Sequence, residues 1–171
     1  MSSYLVRPAQ DADAEQVAAV HANSSQAAYQ ALAPEAHQSL PMERRRAFWR
    51  EAIEFGEPLV QVALDAGRIV GFAGFDRSRD PKSKATTGEI WAMYVLPSHW
   101  GRGVGLALWD ATREALVEEG CTDVTLWLPL CNERALRFFE LAGFKRELGS
   151  AKTAMLGGVK LEEIRLRRGL D

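Results

Sequence analysis

The chain has 171 residues, 47% of them hydrophobic, and a formal net charge of −2 at pH 7. That is enough apolar sequence for one domain with a sizeable core, and the near-neutral balance excludes a general attraction to nucleic acid or acidic membranes. No apolar run reaches the length of a membrane span, no basic and apolar leader opens the chain, and the two cysteines form neither a disulfide framework nor a metal-ligand spacing. A reduced, cytoplasmic protein is expected.

Tyr4 to Arg7 reads as a first strand stopped by Pro8, and Asp13 with Gln16 suits the cap of a helix carrying Val17, Val20, His21 and Ser24. Between Ser24 and Leu40, Ala-rich fragments broken by Pro34 and Pro41 predict a bent or two-part helical region. A clearer helix spans Met42 to Phe55, with Phe48, Ala52 and Phe55 on one face and Trp49 and Ile53 beside it. Leu59 to Leu64 and Arg68 to Phe75 flank Asp65-Ala66-Gly67, the composition of a hairpin. Asp76 to Gly88 is polar and reads as an exposed loop before the strand Ile90 to Leu96, which Pro97 ends. Val104, Leu108, Ala111 and Ala115 then recur at helical spacing up to Gly120, and Asp123 to Leu128 forms the next strand, parallel to the preceding one because a helix connects them. Asn132 starts a last helix with Ala135, Phe138, Phe139 and Ala142 on one face, and strand signals follow at 144–148 and 161–167. The order predicts a mixed α/β or α+β sheet.

The residues that carry chemistry lie between the strand ending at Leu96 and the following helix, where Gly101, Gly103 and Gly105 alternate around Arg102 and Val104. Glycines at a strand-to-helix junction let the backbone approach a ligand, and the first helical N–H groups lack internal partners, so the turn is a seat for an anion such as phosphate. A P-loop would need Lys and then Ser or Thr at the helix start, and a dinucleotide fingerprint would need Gly or Ala at position 106 or 108, both of which are Leu. Both readings fail.

Tyr94-Val95-x-Pro97-x-x-Trp100-Gly101-Arg102-Gly103-Val104-Gly105 resembles the acyl-CoA binding motif of the GNAT superfamily of N-acyltransferases, and Asn132 to Phe144 resembles the helix that follows it in that family. The resemblance implies one GNAT-like domain over residues 1–171: an α+β (mixed α/β) fold with a twisted, mostly antiparallel sheet of about seven strands. A parallel, splayed central pair would hold coenzyme A, with helices on both faces. By the same resemblance Met93, Tyr94 and Val95 meet the pantetheine arm, Trp100 to Leu106 surround the pyrophosphate with Arg102 adding charge, and Asn132 and Phe138 face them from the second helix. Asn132 also reads as a plain N-cap and Arg102 as a solvated arginine.

The implied reaction is transfer of an acetyl group from acetyl-CoA to a primary amine of a small molecule, by direct attack in a ternary complex without metal. An alkylamine with a pKa near about 10.4 must lose a proton before it attacks, and Glu89 matches the family's general-base position, although a Glu at a strand entrance also reads as a solvated surface group. Two positions depart from the family pattern. Trp100 stands where Gln or Arg is usual, and Phe139 where a Tyr often protonates the leaving thiolate, which makes Cys131 and Tyr94 the substitutes to test. Tyr29, His37 and Trp49 are candidate lining for the acceptor, Arg44 to Arg46 read as a solvated helix face, His21 as a core-edge histidine and His99 as an exposed loop residue. Acetylation of protein N-termini or lysines, and a silent acyl-CoA-binding module, remain alternatives. Homodimerisation is left open.

Overall fold

The computed structural model describes residues 4–32, 42–156 and 159–170. Strand β1 (Leu5–Pro8) leads through a 3-10 turn into helix α1 (Ala14–Leu32), and α2 covers Met42–Phe55. Strands β2 (Leu59–Asp65), β3 (Arg68–Arg77) and β4 (Thr87–Val95) follow, then α3 (Val104–Glu118), β5 (Asp123–Pro129), α4 (Glu133–Leu141) and β6 (Lys145–Arg146). Strands β7 (Lys152–Leu156) and β8 (Val159–Gly169) close the order. Eight strands form one sheet in the order β1-β2-β3-β4-β5-β8-β6, with β7 on β8, one strand more than the sequence predicts. Among the described residues no helix is long and apolar enough to cross a membrane.

Asp13 does not cap α1 together with Gln16. Its carboxylate instead accepts from the Gln10 amide at 2.7 Å and pairs with Arg7 at 2.7 Å, which ties β1 to the helix start. α1 runs without a break through Ser24 to Leu32, and the second half of the expected bent region lies outside the described residues. In α2 the buried line is Arg45, Trp49 and Ala52, whereas Phe48 and Phe55 are exposed. The predicted face is therefore rotated: spacing alone does not rank Trp49 above Phe48, but Trp49 fills the space against Phe72, with ring centroids 4.9 Å apart. Arg45 is not part of a solvated face.

Helices cover both faces of the sheet. A Cβ on Gly71 would sit 3.0 Å from Val104 of α3, and one on Gly74 would sit 3.1 Å from the Trp49 ring of α2. Residues 71 and 74 point to opposite faces of β3, so the two glycines let α3 and α2 press the sheet from opposite sides. On the α3 side, Trp109, Phe139 and Phe144 pack edge to face and lock α4 against α3.

All neighbouring strands pair antiparallel except β4 and β5, which are parallel and joined only at Thr87↔Asp123, Gly88↔Val124 and Glu89↔Thr125. Immediately beyond, the β3–β4 register shifts, leaving Trp91 without a partner between Ile90 and Ala92. A bulge of this kind bends and twists its strand, and here it turns β4 away from β5. The two strands then diverge for the rest of their length.

Candidate active site

Two cavities meet where β4 and β5 part. The first, about 550 Å³, is lined by β4 from Ile90 to Val95, by β5 from Leu126 to Pro129, by the glycine turn and by the start of α4. The second, about 510 Å³, lies beside Arg79, Asp80, Glu89, Lys152 and Glu163. Tyr29, Ile90, Trp91, Tyr94, Trp127 and Pro129 line both, so they form the passage between them. The indole N–H of Trp91 is buried there without a hydrogen-bond partner among the described residues.

At the first cavity, Gly101 and Gly103 have φ of +73° and +88°, a backbone region that ordinary side chains disfavour. Gly103 is the N-cap residue of α3, and a Cβ there would meet nothing within 4 Å. Gly105 takes Phe138 instead, whose ring would lie 3.2 Å from its Cβ. Bare helix N–H groups, positive dipole and an open approach are the features that suit this end of the cleft to an anion. Arg102 is exposed and does not line it.

The charge comes from a residue that the sequence reading missed. Arg134, in the first turn of α4, stacks its guanidinium 3.7 Å from the Trp100 ring centre, and Trp100 in turn donates from Nε1 to the Val95 carbonyl at 2.8 Å. Burial lowers the Arg134 pKa, and it forms no ion pair with a carboxylate among the described residues. His99 also lines the cleft but pairs with Asp65 at 2.9 Å and is not the exposed residue expected. Arg134 is thus the one permanently charged side chain among the described residues lining the cleft. Trp100 removes a polar side chain from the turn and supplies the platform that holds a cation in its place. Only the stack reveals this, because an Arg two residues after a helix cap carries no signal of its own.

Of the other expected residues, Met93, Tyr94, Val95, Trp100, Gly101, Gly103, Val104, Gly105, Leu106, Asn132 and Phe138 all line the first cavity. Asn132 accepts the Ala135 amide at 3.2 Å as N-cap of α4. Phe139 is buried and also reaches the cleft. Cys131 is exposed and lines neither cavity. Tyr29 lines both, Trp49 belongs to the core, and His37 lies outside the described residues.

Glu89 is not a solvated strand-entrance residue. It is 3% exposed, its Oε1 accepts the Arg79 amide at 2.9 Å, and its Oε2 pairs with the Arg79 guanidinium at 2.9 Å. The carboxylate retains lone pairs for a further donor on the side of the second cavity. Tyr94 is held as a neutral phenol, its pKa raised by burial first and then by the charge and hydrogen bond of Tyr29, against the opposing field of Arg45.

His21 packs on Tyr94 with ring centroids 5.0 Å apart, and its Nδ1 accepts from Trp49 Nε1 at 3.1 Å. Burial, followed by the Arg45 charge, pushes its pKa down to about 4 from 6.5. The unfolded chain therefore takes up a proton near pH 6.5 that the folded chain refuses until about pH 4. Stability is full above the first value and falls on acidification, by up to roughly 3 kcal/mol. Denaturant titrations across that window should show this acid slope, and a His21→Phe variant should flatten it.

A family comparison bears on this geometry. Residues 24–144 match the model of the acetyltransferase (GNAT) family. The chain belongs to the GNAT family. An uncharacterized N-acetyltransferase of Mycobacterium tuberculosis is 31% identical over 148 residues, 85% of this chain and 90% of that protein. Mycothiol acetyltransferase of Acidimicrobium ferrooxidans is 30% identical over 103 residues, but these span 60% of this chain and 31% of that protein. Among solved GNAT structures, the phosphinothricin acetyltransferase from Sinorhizobium meliloti in complex with AcCoA aligns with a TM-score of 0.77 at 18% identity, covering 99% of this chain and 89% of that one. The likeness is one of fold.

Proposed function

We propose that the chain acts as one GNAT-like unit that transfers an acetyl group from acetyl-CoA to a primary amine, in a cytoplasmic setting where Cys121 and Cys131 stay free thiols. The observation that carries this reading is the split between β4 and β5, with an anion seat at its open end and a buried carboxylate at its closed end.

Acetyl-CoA, when bound, supplies the activated thioester. The amides of the glycine turn and the Arg134 guanidinium fit its pyrophosphate, and the unpaired edge of β4 around Met93 and Val95 offers backbone hydrogen bonds to the pantetheine arm. Val95 keeps a lone pair for this purpose beside the Trp100 bond. The amine enters from the second cavity and gives up its proton to Glu89 through water. Its nitrogen then bonds to the carbonyl carbon, the carbon–sulfur bond breaks, and the remaining excess proton on nitrogen ends on the departing thiolate, giving the amide and the free thiol of coenzyme A. Phe139 has no proton to give, so the Tyr94 hydroxyl, held with that of Tyr29 at the passage, is the group we assign to pass that proton on, giving its own to sulfur and regaining one from nitrogen. A small-molecule acceptor suits a recess of about 510 Å³.

The test is thiol release from acetyl-CoA over a panel of amines, with coenzyme A affinity measured by calorimetry. Turnover supports the reading. The absence of a hydroxyl at Phe139 favours one alternative, a silent acyl-CoA-binding module, and binding without turnover on any amine or peptide would establish it.

A further inference from the structure

The second cavity is asymmetric in charge. Its carboxylates are sunk, with side-chain exposures of 3% for Glu89, 14% for Asp80 and 22% for Glu163, whereas its cations Arg79 and Lys152 are 55% and 53% exposed. The Trp127 indole is fixed between them, donating Nε1 to Asp80 at 3.0 Å, while Arg165 holds Asp80 at 3.2 Å. On the face of that ring, 3.9 Å from its centre, sits the Lys152 ammonium, 3.8 Å from a Glu163 oxygen. Lys152 belongs to β7, which among the described residues pairs only with β8. An aromatic face beside a carboxylate is a site for an alkylammonium, and here the protein's own flexible side chain occupies it. Its exposed ion pair contributes little, so a ligand ammonium can displace it.

We infer that the acceptor carries two amino groups, and that the ammonium which does not react replaces Lys152 between Trp127 and Glu163. This rests on the acetyl-transfer reading. The chemistry requires two groups rather than one: the Trp127–Glu163 subsite stabilises the charged form, whereas attack on a thioester needs the neutral amine. The group bound on the ring is therefore the one that stays protonated, and the second amine, at the other end of an alkyl chain, lies at the passage by Glu89. Lys152 then acts as an internal competitor for diamines.

Calorimetric titration of the full chain with coenzyme A present decides this, using an α,ω-diaminoalkane, the alkylamine of equal chain length and the corresponding ω-amino acid. The diamine should bind about tenfold tighter than the monoamine. Glu163→Gln should abolish the preference, and Lys152→Met should tighten the diamine severalfold, an increase that loss of a merely structural lysine would not produce. Equal binding of the three ligands, tighter binding of the amino acid or no binding of the diamine overturns the inference. Because binding is read directly, a protein that prefers diamines but turns none over would overturn the transfer reading instead, and acetylation of monoamines without any diamine preference would overturn only this one.

Discussion

Replacing Glu89 by Gln is expected to lower turnover at least about a hundredfold while coenzyme A binds as before. The substitution keeps shape and one acceptor oxygen toward Arg79, but removes the group able to take a proton. Arg79 is 55% exposed, so solvent can serve its freed guanidinium and the fold should tolerate the change. The same pair could instead serve to anchor the segment after β3, and Arg79→Met separates the two roles. A structural anchor loses as much from either substitution, whereas a base survives loss of Arg79 and keeps turnover with an altered pH profile. Single-turnover thiol release at saturating acetyl-CoA, followed from acidic to alkaline pH, reads the difference. Unchanged turnover in the Gln variant removes Glu89 from the chemistry.

Gly103→Asp should weaken coenzyme A binding about a hundredfold, and Gly103→Asn far less. Position 103 needs φ of +88°, which Asn and Asp tolerate better than other side chains. The new Cβ meets open space at the edge of the cleft, so both variants should fold. They differ by one negative charge beside the seat for the pyrophosphate. Two like charges about 5 Å apart, at an effective dielectric near 20, repel by roughly 3 kcal/mol, which corresponds to about a hundredfold. Calorimetry of coenzyme A and of pantetheine, which lacks phosphate, checks the assignment: the penalty should vanish for pantetheine. Equal affinities of the Asp and Asn variants for coenzyme A would show that the phosphates lie elsewhere.

The parts of the site that were legible in the sequence are those where local conformation itself binds. Gly101, Gly103 and Gly105 announce backbone that can come close to a ligand, and Val104 and Leu108 show that a helix starts there, so the turn and helix start of the candidate anion seat could be placed without coordinates. Arg134 was not legible, because its role comes from a contact with Trp100 more than thirty positions earlier, and nothing in either local pattern links them. Glu89 was legible as the family's general-base position, with a solvated strand-entrance group as the other reading, and its burial beside the polar loop before it was not legible. That loop folds back, and the Arg79 amide and guanidinium close over the carboxylate. The same blindness rotated α2. Phe48 and Trp49 are equally apolar by pattern, and only the bare surface of Gly74, which receives the Trp49 ring, decides which is buried. The hairpin of β2 and β3 and the parallel crossover through α3 followed from turn composition and handedness, and both are present.

The short β4–β5 pairing also bears on how the chain behaves without ligand. Beyond Glu89 and Thr125 each strand has a neighbour on its outer side only, so an eight-stranded sheet carries two raw edges in its middle as well as those at its margins. Raw edges recruit whatever extended chain they meet, including another molecule's. On the proposed reading, a pantetheine arm, with its two amides, would stand in for the missing strand. Bound there it would make the sheet continuous, and the protein saturated with coenzyme A should then aggregate less than the protein without it.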